Sequence, residues 1–196
     1  PDARLNISLF AYDNPAIEGL VNALAQAPES TRLLVPEGKV VARLASALGK
    51  KGLGVGDWIE FGRLTVQVLP FMEQGAYDRL LWACDLNFVR GEDSFIQALW
   101  AGRPLVWQAY VQEDGAQWAK IDAFLGHYTR EMPPALVTTF RETWRAWNAG
   151  ETQPGIWLEW LRNRAAYQAH AAAWAEKMQV WPNLADELVK FVVCKL

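Results

Sequence analysis

Leu86-Asn87-Phe88-Val89-Arg90-Gly91-Glu92-Asp93-Ser94-Phe95-Ile96-Gln97-Ala98-Leu99-Trp100 changes character twice within one short stretch. Residues 86–89 are a short apolar run, as a buried strand requires, and residues 94–100 carry apolar side chains at helical spacing. Between them Arg90 ends the strand, Gly91 lets the backbone turn closely, and Glu92-Asp93-Ser94 opens the helix. Strand, tight turn, helix is the repeating unit of an α/β protein.

The unit recurs in both directions. Residues 5–12 alternate apolar with small or polar side chains and predict a strand. Asp13-Asn14-Pro15 then supplies N-cap chemistry and a proline tolerated in a first helical turn. Ile17, Leu20, Val21, Leu24 and Ala25 mark the helix that follows. Residues 31–35 predict a second strand, closed by Pro36-Glu37-Gly38, and Val40, Val41, Leu44, Ala45 and Leu48 form the next helical stripe. Residues 58–61 and 64–69, joined by Gly62-Arg63, read as a hairpin whose second arm returns to the sheet. A helix over 77–84 precedes the opening stretch, and a strand over 105–109 follows the turn Gly102-Arg103-Pro104. The alternation predicts a mainly parallel sheet with helices on both faces.

From Gly115 onward the strand signal fades, and helices are predicted over 116–130, 133–148, 156–178 and 183–193. The third is the longest and passes through Ala165-Ala166, Ala169 and Ala171-Ala172-Ala173, all strong helix formers. No repeat or low-complexity linker separates this region, so it should pack onto the sheet. Most of the 11 tryptophans lie here. Trp144, Trp147, Trp157, Trp160 and Trp174 are expected to fill helix interfaces rather than form a sugar-stacking platform.

The 196 residues are 52% hydrophobic and 21% charged, which suits one compact soluble domain. With 19 Lys and Arg against 22 Asp and Glu, the formal charge of -3 recommends no nucleic-acid partner. No apolar run approaches the ~20 residues of a membrane span, and no signal-type segment opens the chain, so a cytoplasmic protein with no membrane partner is expected. Cys84 and Cys194 sit in apolar segments without metal-ligand spacing; both are expected to be buried thiols, with no metal site. Residue 1 is Pro rather than Met, and a strand-like run begins almost at once, which suggests a piece of a longer chain.

Ligands of an open parallel sheet bind beyond the carboxyl ends of its strands. That rule nominates Phe10, Tyr12 and Asn14 after the first strand, residues 70–74, Arg90 to Ser94, and residues 110–112. In the third group, helix amides, the Ser94 hydroxyl and the Arg90 guanidinium can surround a phosphate, although Glu92 and Asp93 also suit simple helix capping. In the second, Phe71, Gln74 and Tyr77 offer an aromatic face and an amide to a nucleobase, or a loop aromatic that seals the core. Phe10 and Tyr12 are expected on one strand face. Neither GxGxxG nor GxxxxGK[ST] is present, which argues against a dinucleotide dehydrogenase or a P-loop nucleotidase. His127 and His170 lack the neighbours of a triad or metal site, so structural or solvated roles are expected.

The run Leu80-Leu81-Trp82-Ala83-Cys84-Asp85-Leu86-Asn87-Phe88-Val89-Arg90-Gly91-Glu92-Asp93-Ser94-Phe95 continues into Ala98-Leu99-Trp100-Ala101-Gly102-Arg103-Pro104-Leu105-Val106-Trp107. Together they closely resemble the C-terminal half of the bacterial protein-arginine rhamnosyltransferases that modify translation elongation factor P. Ser8-Leu9-Phe10, Pro70-Phe71, Gln74, Tyr77-Asp78 and the helix around residues 120–125 share the resemblance. It implies the Rossmann-like C-terminal half of an inverting GT-B glycosyltransferase over residues 1–196, with residues 116–196 mainly helical. It also implies dTDP-β-L-rhamnose as donor, elongation factor P as acceptor, and an absent N-terminal domain carrying the catalytic aspartate.

By the same resemblance, Phe71, Gln74 and Tyr77 form the nucleobase and deoxyribose wall, with Phe10 and Tyr12 facing it. Arg90, Asp93 and Ser94 match the diphosphate site, Glu92 an essential glutamate beside the donor, and Tyr110 a donor-contacting tyrosine. Cofactors are none, because Arg90, Ser94 and a helix N-terminus can stabilise the leaving diphosphate where other glycosyltransferases use a divalent cation on an Asp-x-Asp motif. The chain departs from the family after Trp107, with Gln108-Ala109-Tyr110-Val111-Gln112 in place of His-Ile-Tyr-Pro-Gln. A stand-alone nucleotide-sugar-binding or interaction module is the alternative reading.

Overall fold

The computed structural model describes residues 4–194, so Pro1 lies outside the described residues. In chain order the elements are β1 (Leu5–Leu9), α1 (Ala16–Gln26), β2 (Thr31–Pro36), α2 (Val40–Ala47), β3 (Trp58–Phe61), β4 (Leu64–Leu69), α3 (Gln74–Ala83), β5 (Leu86–Arg90), α4 (Gly91–Trp100) and β6 (Leu105–Gln108). Five helices follow: α5 (Ala116–Tyr128), α6 (Pro134–Ala149), α7 (Pro154–Arg162), α8 (Arg164–Gln179) and α9 (Leu184–Val193).

The strands form one six-stranded sheet in the order β3-β4-β2-β1-β5-β6. All neighbours run parallel except the β3-β4 hairpin, so the predicted Rossmann-like α/β architecture holds. Helices α1, α2, α6 and α7 pack as one group, and α3, α4 and α8 as another. The β1 and β5 register places Ser8 opposite Asn87. There the buried Ser8 hydroxyl donates to Asn87 Oδ1 at 2.6 Å while Asn87 Nδ2 donates to the Leu81 carbonyl at 3.0 Å. A slip by one residue would strand these buried polar groups, so the pair pins the centre of the sheet. At the hairpin tip Gly62 adopts a φ of +60°, and a Cβ there would meet the Ala25 carbonyl oxygen at 2.6 Å. Only glycine suits that docking of the tip on the end of α1.

The helical region packs onto the sheet largely as expected. Trp144, Trp147, Trp157 and Trp160 are each at most 2% exposed. The Trp147 and Trp157 rings lie 4.6 and 5.4 Å from Phe88 of β5, which confirms packing as their role. Three boundaries differ from the sequence expectation. The long helix of 156–178 is two helices broken at Asn163, whose side-chain amide donates to the Glu159 carbonyl and competes with the continuing backbone ladder. The break lets Trp160 stack on Tyr167 at 5.3 Å. β1 stops at Leu9, so Phe10 and Tyr12 lie beyond the strand rather than on one of its faces.

α4 begins at Gly91, three residues before the expected start, because the glycine's φ of +67° passes strand directly into helix. Cys84 is buried as expected but Cys194 is exposed, since α9 buries none of its residues. No helix among the described residues is long and apolar enough to cross a membrane.

Candidate functional site

From β1 the chain moves outward to β2 and β4 on one side and to β5 and β6 on the other. The connections therefore diverge between β1 and β5, and the carboxyl ends of those strands border the crevice where such sheets take ligands. β1 delivers Phe10 there and β5 delivers Arg90. Because Gly91 makes the turn without a loop, Glu92, Asp93 and Ser94 occupy the first turn of α4. No side chain caps that end, and the first amides of a helix have no partner within it. Glu92 and Asp93 stand in that first turn, where negative charge also suits the helix dipole.

The Arg90 guanidinium carbon lies 4.4 Å from the Phe10 ring centroid and 4.7 Å from that of Tyr12. Two aromatic faces hold one cation, an attraction of about 0.5–1 kcal/mol each at a partly exposed site. Tyr110 extends the wall, its ring 5.9 Å from Tyr12 and edge-on to it. The departure after Trp107 has a clear consequence: the buried Gln108 accepts the Tyr12 backbone N–H on Oε1 at 2.8 Å. The glutamine itself therefore ties the loop after β1 to the end of β6.

On the other side of Arg90 lies a cleft of about 230 Å³. Phe10, Phe71, Gln74, Tyr77, Asp93 and Ser94, all nominated from the sequence, line it together. Phe71 is 81% exposed on the rim, an aromatic face offered to solvent. Tyr77 packs edge-on to Phe10 at 5.6 Å. Burial pushes its phenol up to about 12, against the opposing pull of the Ser94 hydroxyl and the Arg90 guanidinium. The Tyr77 hydroxyl is buried against this wall beside the Ser94 hydroxyl, without a well-formed hydrogen bond. Gln74 presently donates to Asp78 Oδ1 at 3.2 Å. Glu92 stands outside the cleft with its carboxylate 3.9 Å from the Lys120 ammonium of α5, both side chains exposed.

Met72, within the nominated residues 70–74, also lines the cleft, as do Pro36, Glu37 and Gln97, which were not nominated. The strand-end rule applied to β2 would have found Pro36 and Glu37, and Gln97 lies one helical turn beyond Asp93 and Ser94. A larger hollow of about 750 Å³ borders Trp118, Glu142, Arg145 and Glu151. None of the strand-end residues reaches it, and Arg145 is already paired with Asp122 at 2.6 Å. The histidines stay outside the chemistry. The His170 ring Nε2 donates to the Tyr128 carbonyl at 2.7 Å, and burial lowers its proton affinity.

Comparison with known proteins shows the family. The family model described as elongation factor P (EF-P) rhamnosyltransferase EarP matches residues 1–193. A protein-arginine rhamnosyltransferase of Pseudomonas aeruginosa is 49% identical over 185 residues, covering 94% of this chain and 49% of the relative. One from Pseudomonas putida is 46% identical over 191 residues, covering 97% of this chain and 50% of the relative. A solved structure concerned with EarP-mediated arginine glycosylation of translation elongation factor EF-P superposes with a TM-score of 0.88 at 42% identity, covering 98% of this chain and 61% of that one. The chain spans about half the length of the curated relatives it matches. By sequence across nearly all its residues and by fold, the chain belongs to the EarP family of elongation factor P rhamnosyltransferases.

Proposed function

We propose that this chain is the donor-binding half of a cytoplasmic GT-B protein-arginine rhamnosyltransferase, that it holds dTDP-β-L-rhamnose, and that the complete enzyme transfers the sugar with inversion to an arginine of elongation factor P. The observation that carries the reading is the junction of β5 and α4. A cation held between two rings stands beside an uncapped helix N-terminus and an aromatic cleft, which is the set of groups a nucleoside diphosphate needs.

In this reading Phe71 stacks on the thymine, Gln74 pairs with its edge, and Tyr77 and Phe10 close the deoxyribose side. Arg90, Ser94 and the first amides of α4, next to Asp93, receive the diphosphate. Tyr12 and Tyr110 wall the donor beyond Arg90, and Glu92 lies at the sugar end. As the bond from the anomeric carbon to the phosphate oxygen breaks, negative charge gathers on the leaving diphosphate. Preorganised donors already aimed there stabilise it with little reorganisation. The acceptor guanidinium, whose pKa exceeds ~12, needs a carboxylate to orient it and take its proton. That group is assigned to an N-terminal domain outside this chain. Glu92, paired with Lys120 and set at a helix start, serves the donor instead.

Calorimetric titration with dTDP-rhamnose, dTDP and thymidine tests the donor assignment; a chain that binds none of them would end it. Phe71→Ala should weaken dTDP and dTDP-rhamnose alike, by about fivefold for a stacking loss near 1 kcal/mol. A variant that lost only discrimination for the sugar would move Phe71 to the rhamnose end. Incubated with dTDP-rhamnose and elongation factor P, the chain alone should leave the acceptor mass unchanged. One added deoxyhexose would make Glu92 the first candidate for the base.

A further inference from the structure

We infer that Trp107 is a positioning residue for diphosphate recognition, acting through the peptide unit that joins Gly91 to Glu92. Trp107 is 4% exposed near the end of β6, and its indole Nε1–H donates to the Gly91 carbonyl at 2.9 Å. The indole is itself held. Its ring stacks on Phe95 of α4 at 4.5 Å with an interplanar angle of 22°. Its own carbonyl accepts from Asn148 of α6 at 2.8 Å, and Asn148 Oδ1 accepts the neighbouring Ala109 N–H at 3.0 Å.

The consequence follows from peptide geometry. In a trans peptide the C=O and the next N–H point in opposite directions, and no described peptide bond is cis. An indole that fixes the Gly91 oxygen therefore fixes the Glu92 N–H toward the amino end of α4, where Arg90 and Ser94 stand. The restraint matters because Gly91, at a φ of +67°, has no side chain to limit rotation of that peptide. Without the indole, that peptide would be held by the start of the α4 ladder alone, and its amide would be less firmly preorganised for an arriving ligand. A tryptophan that composition alone assigns to packing thus sets the direction of a donor in the binding site.

This inference rests on the donor-binding reading, and dTDP and thymidine separate the two. Trp107→Phe keeps an aromatic ring against Phe95 and removes the N–H. The variant is expected to bind dTDP about three- to tenfold more weakly, the worth of one neutral hydrogen bond, with thymidine affinity close to that of the parent and a lower melting temperature from the smaller ring in a buried place. If the parent binds dTDP and the variant binds it equally well, or loses thymidine to the same degree, the inference is overturned. If the parent binds no dTDP, the donor assignment itself has failed.

Amide and indole nitrogen resonances of the unmutated chain give a second test should the variant not fold. The Trp107 indole proton should exchange slowly with solvent, and the Glu92 amide should shift on addition of dTDP or inorganic pyrophosphate but not of thymidine. A rapidly exchanging indole, or a Glu92 amide indifferent to dTDP, would overturn the assignment.

Discussion

Arg90→Ala is expected to lower dTDP affinity by about ten- to a hundredfold, because hydrogen bonds to a charged partner contribute roughly 1.5–3 kcal/mol. The loss should be large for two reasons. The guanidinium is the cation that Phe10 and Tyr12 hold at the crevice, 4.4 and 4.7 Å from their ring centroids, so the site delivers it already oriented. Alanine also leaves the two rings facing an empty slot. Arg90→Lys should fall between, since an ammonium restores the charge but not the planar fork. Stability should change little, as Arg90 is only partly buried at the end of its strand. Calorimetry beside a thermal melt checks both statements, and a folded Arg90→Ala chain with parental affinity would remove Arg90 from the site.

The other large effect concerns the core. Trp144 is fully buried, stacks on Phe124 at 5.3 Å, and donates its indole N–H to the Leu105 carbonyl of β6 at 3.1 Å. Trp144→Ala removes the ring, opens a cavity and deprives a buried carbonyl of a donor, so about 3–5 kcal/mol should be lost. For a chain of this size that corresponds to a fall in melting temperature of roughly 6–20 °C. Trp181→Ala provides the contrast. That side chain is 62% exposed, and its removal should cost no more than about 0.5 kcal/mol. Urea and thermal melts of the two variants settle the comparison, and similar midpoints would show that α6 is not seated on the sheet through Trp144.

The contrast between these tryptophans shows what a sequence can and cannot convey. Alternation and turn glycines made β2, β4 and the hairpin legible, since a strand's face and a glycine's φ are local properties. The break at Asn163 was hidden because apolar spacing before it and the alanine-rich run after it both favour helix, while the packing of Trp160 on Tyr167 that accompanies the bend is a tertiary contact. α9 has the apolar spacing of a packed helix, yet spacing says nothing about which surface covers it, so Cys194 was expected inside and is exposed.

At the site, the strand-end rule reached Phe71, Gln74, Tyr77, Asp93 and Ser94. It did not reach the grip of Phe10 and Tyr12 on Arg90, which exists only once β1 and β5 pair. Nor did it foresee that Gln108, a departure from the family pattern, would hold the Tyr12 backbone. Lys120 beside Glu92 depends on where α5 returns across the rim.

Ninety-six positions separate Tyr12 from Gln108, which hold each other at the crevice, and the cleft beside them draws on the ends of β1, β2, β4 and the start of α4. No short contiguous segment contains that arrangement, so a chain with its sheet unpaired does not assemble the cleft. Binding and folding are thereby coupled by mass action. A ligand taken only by the native state shifts the folding equilibrium by about 2.7 kcal/mol at a hundredfold excess over its Kd. On the proposed donor-binding reading, a supply of sugar nucleotide would act on the whole sheet as well as on its rim, and would protect this chain from unfolding and from the proteolysis that follows it.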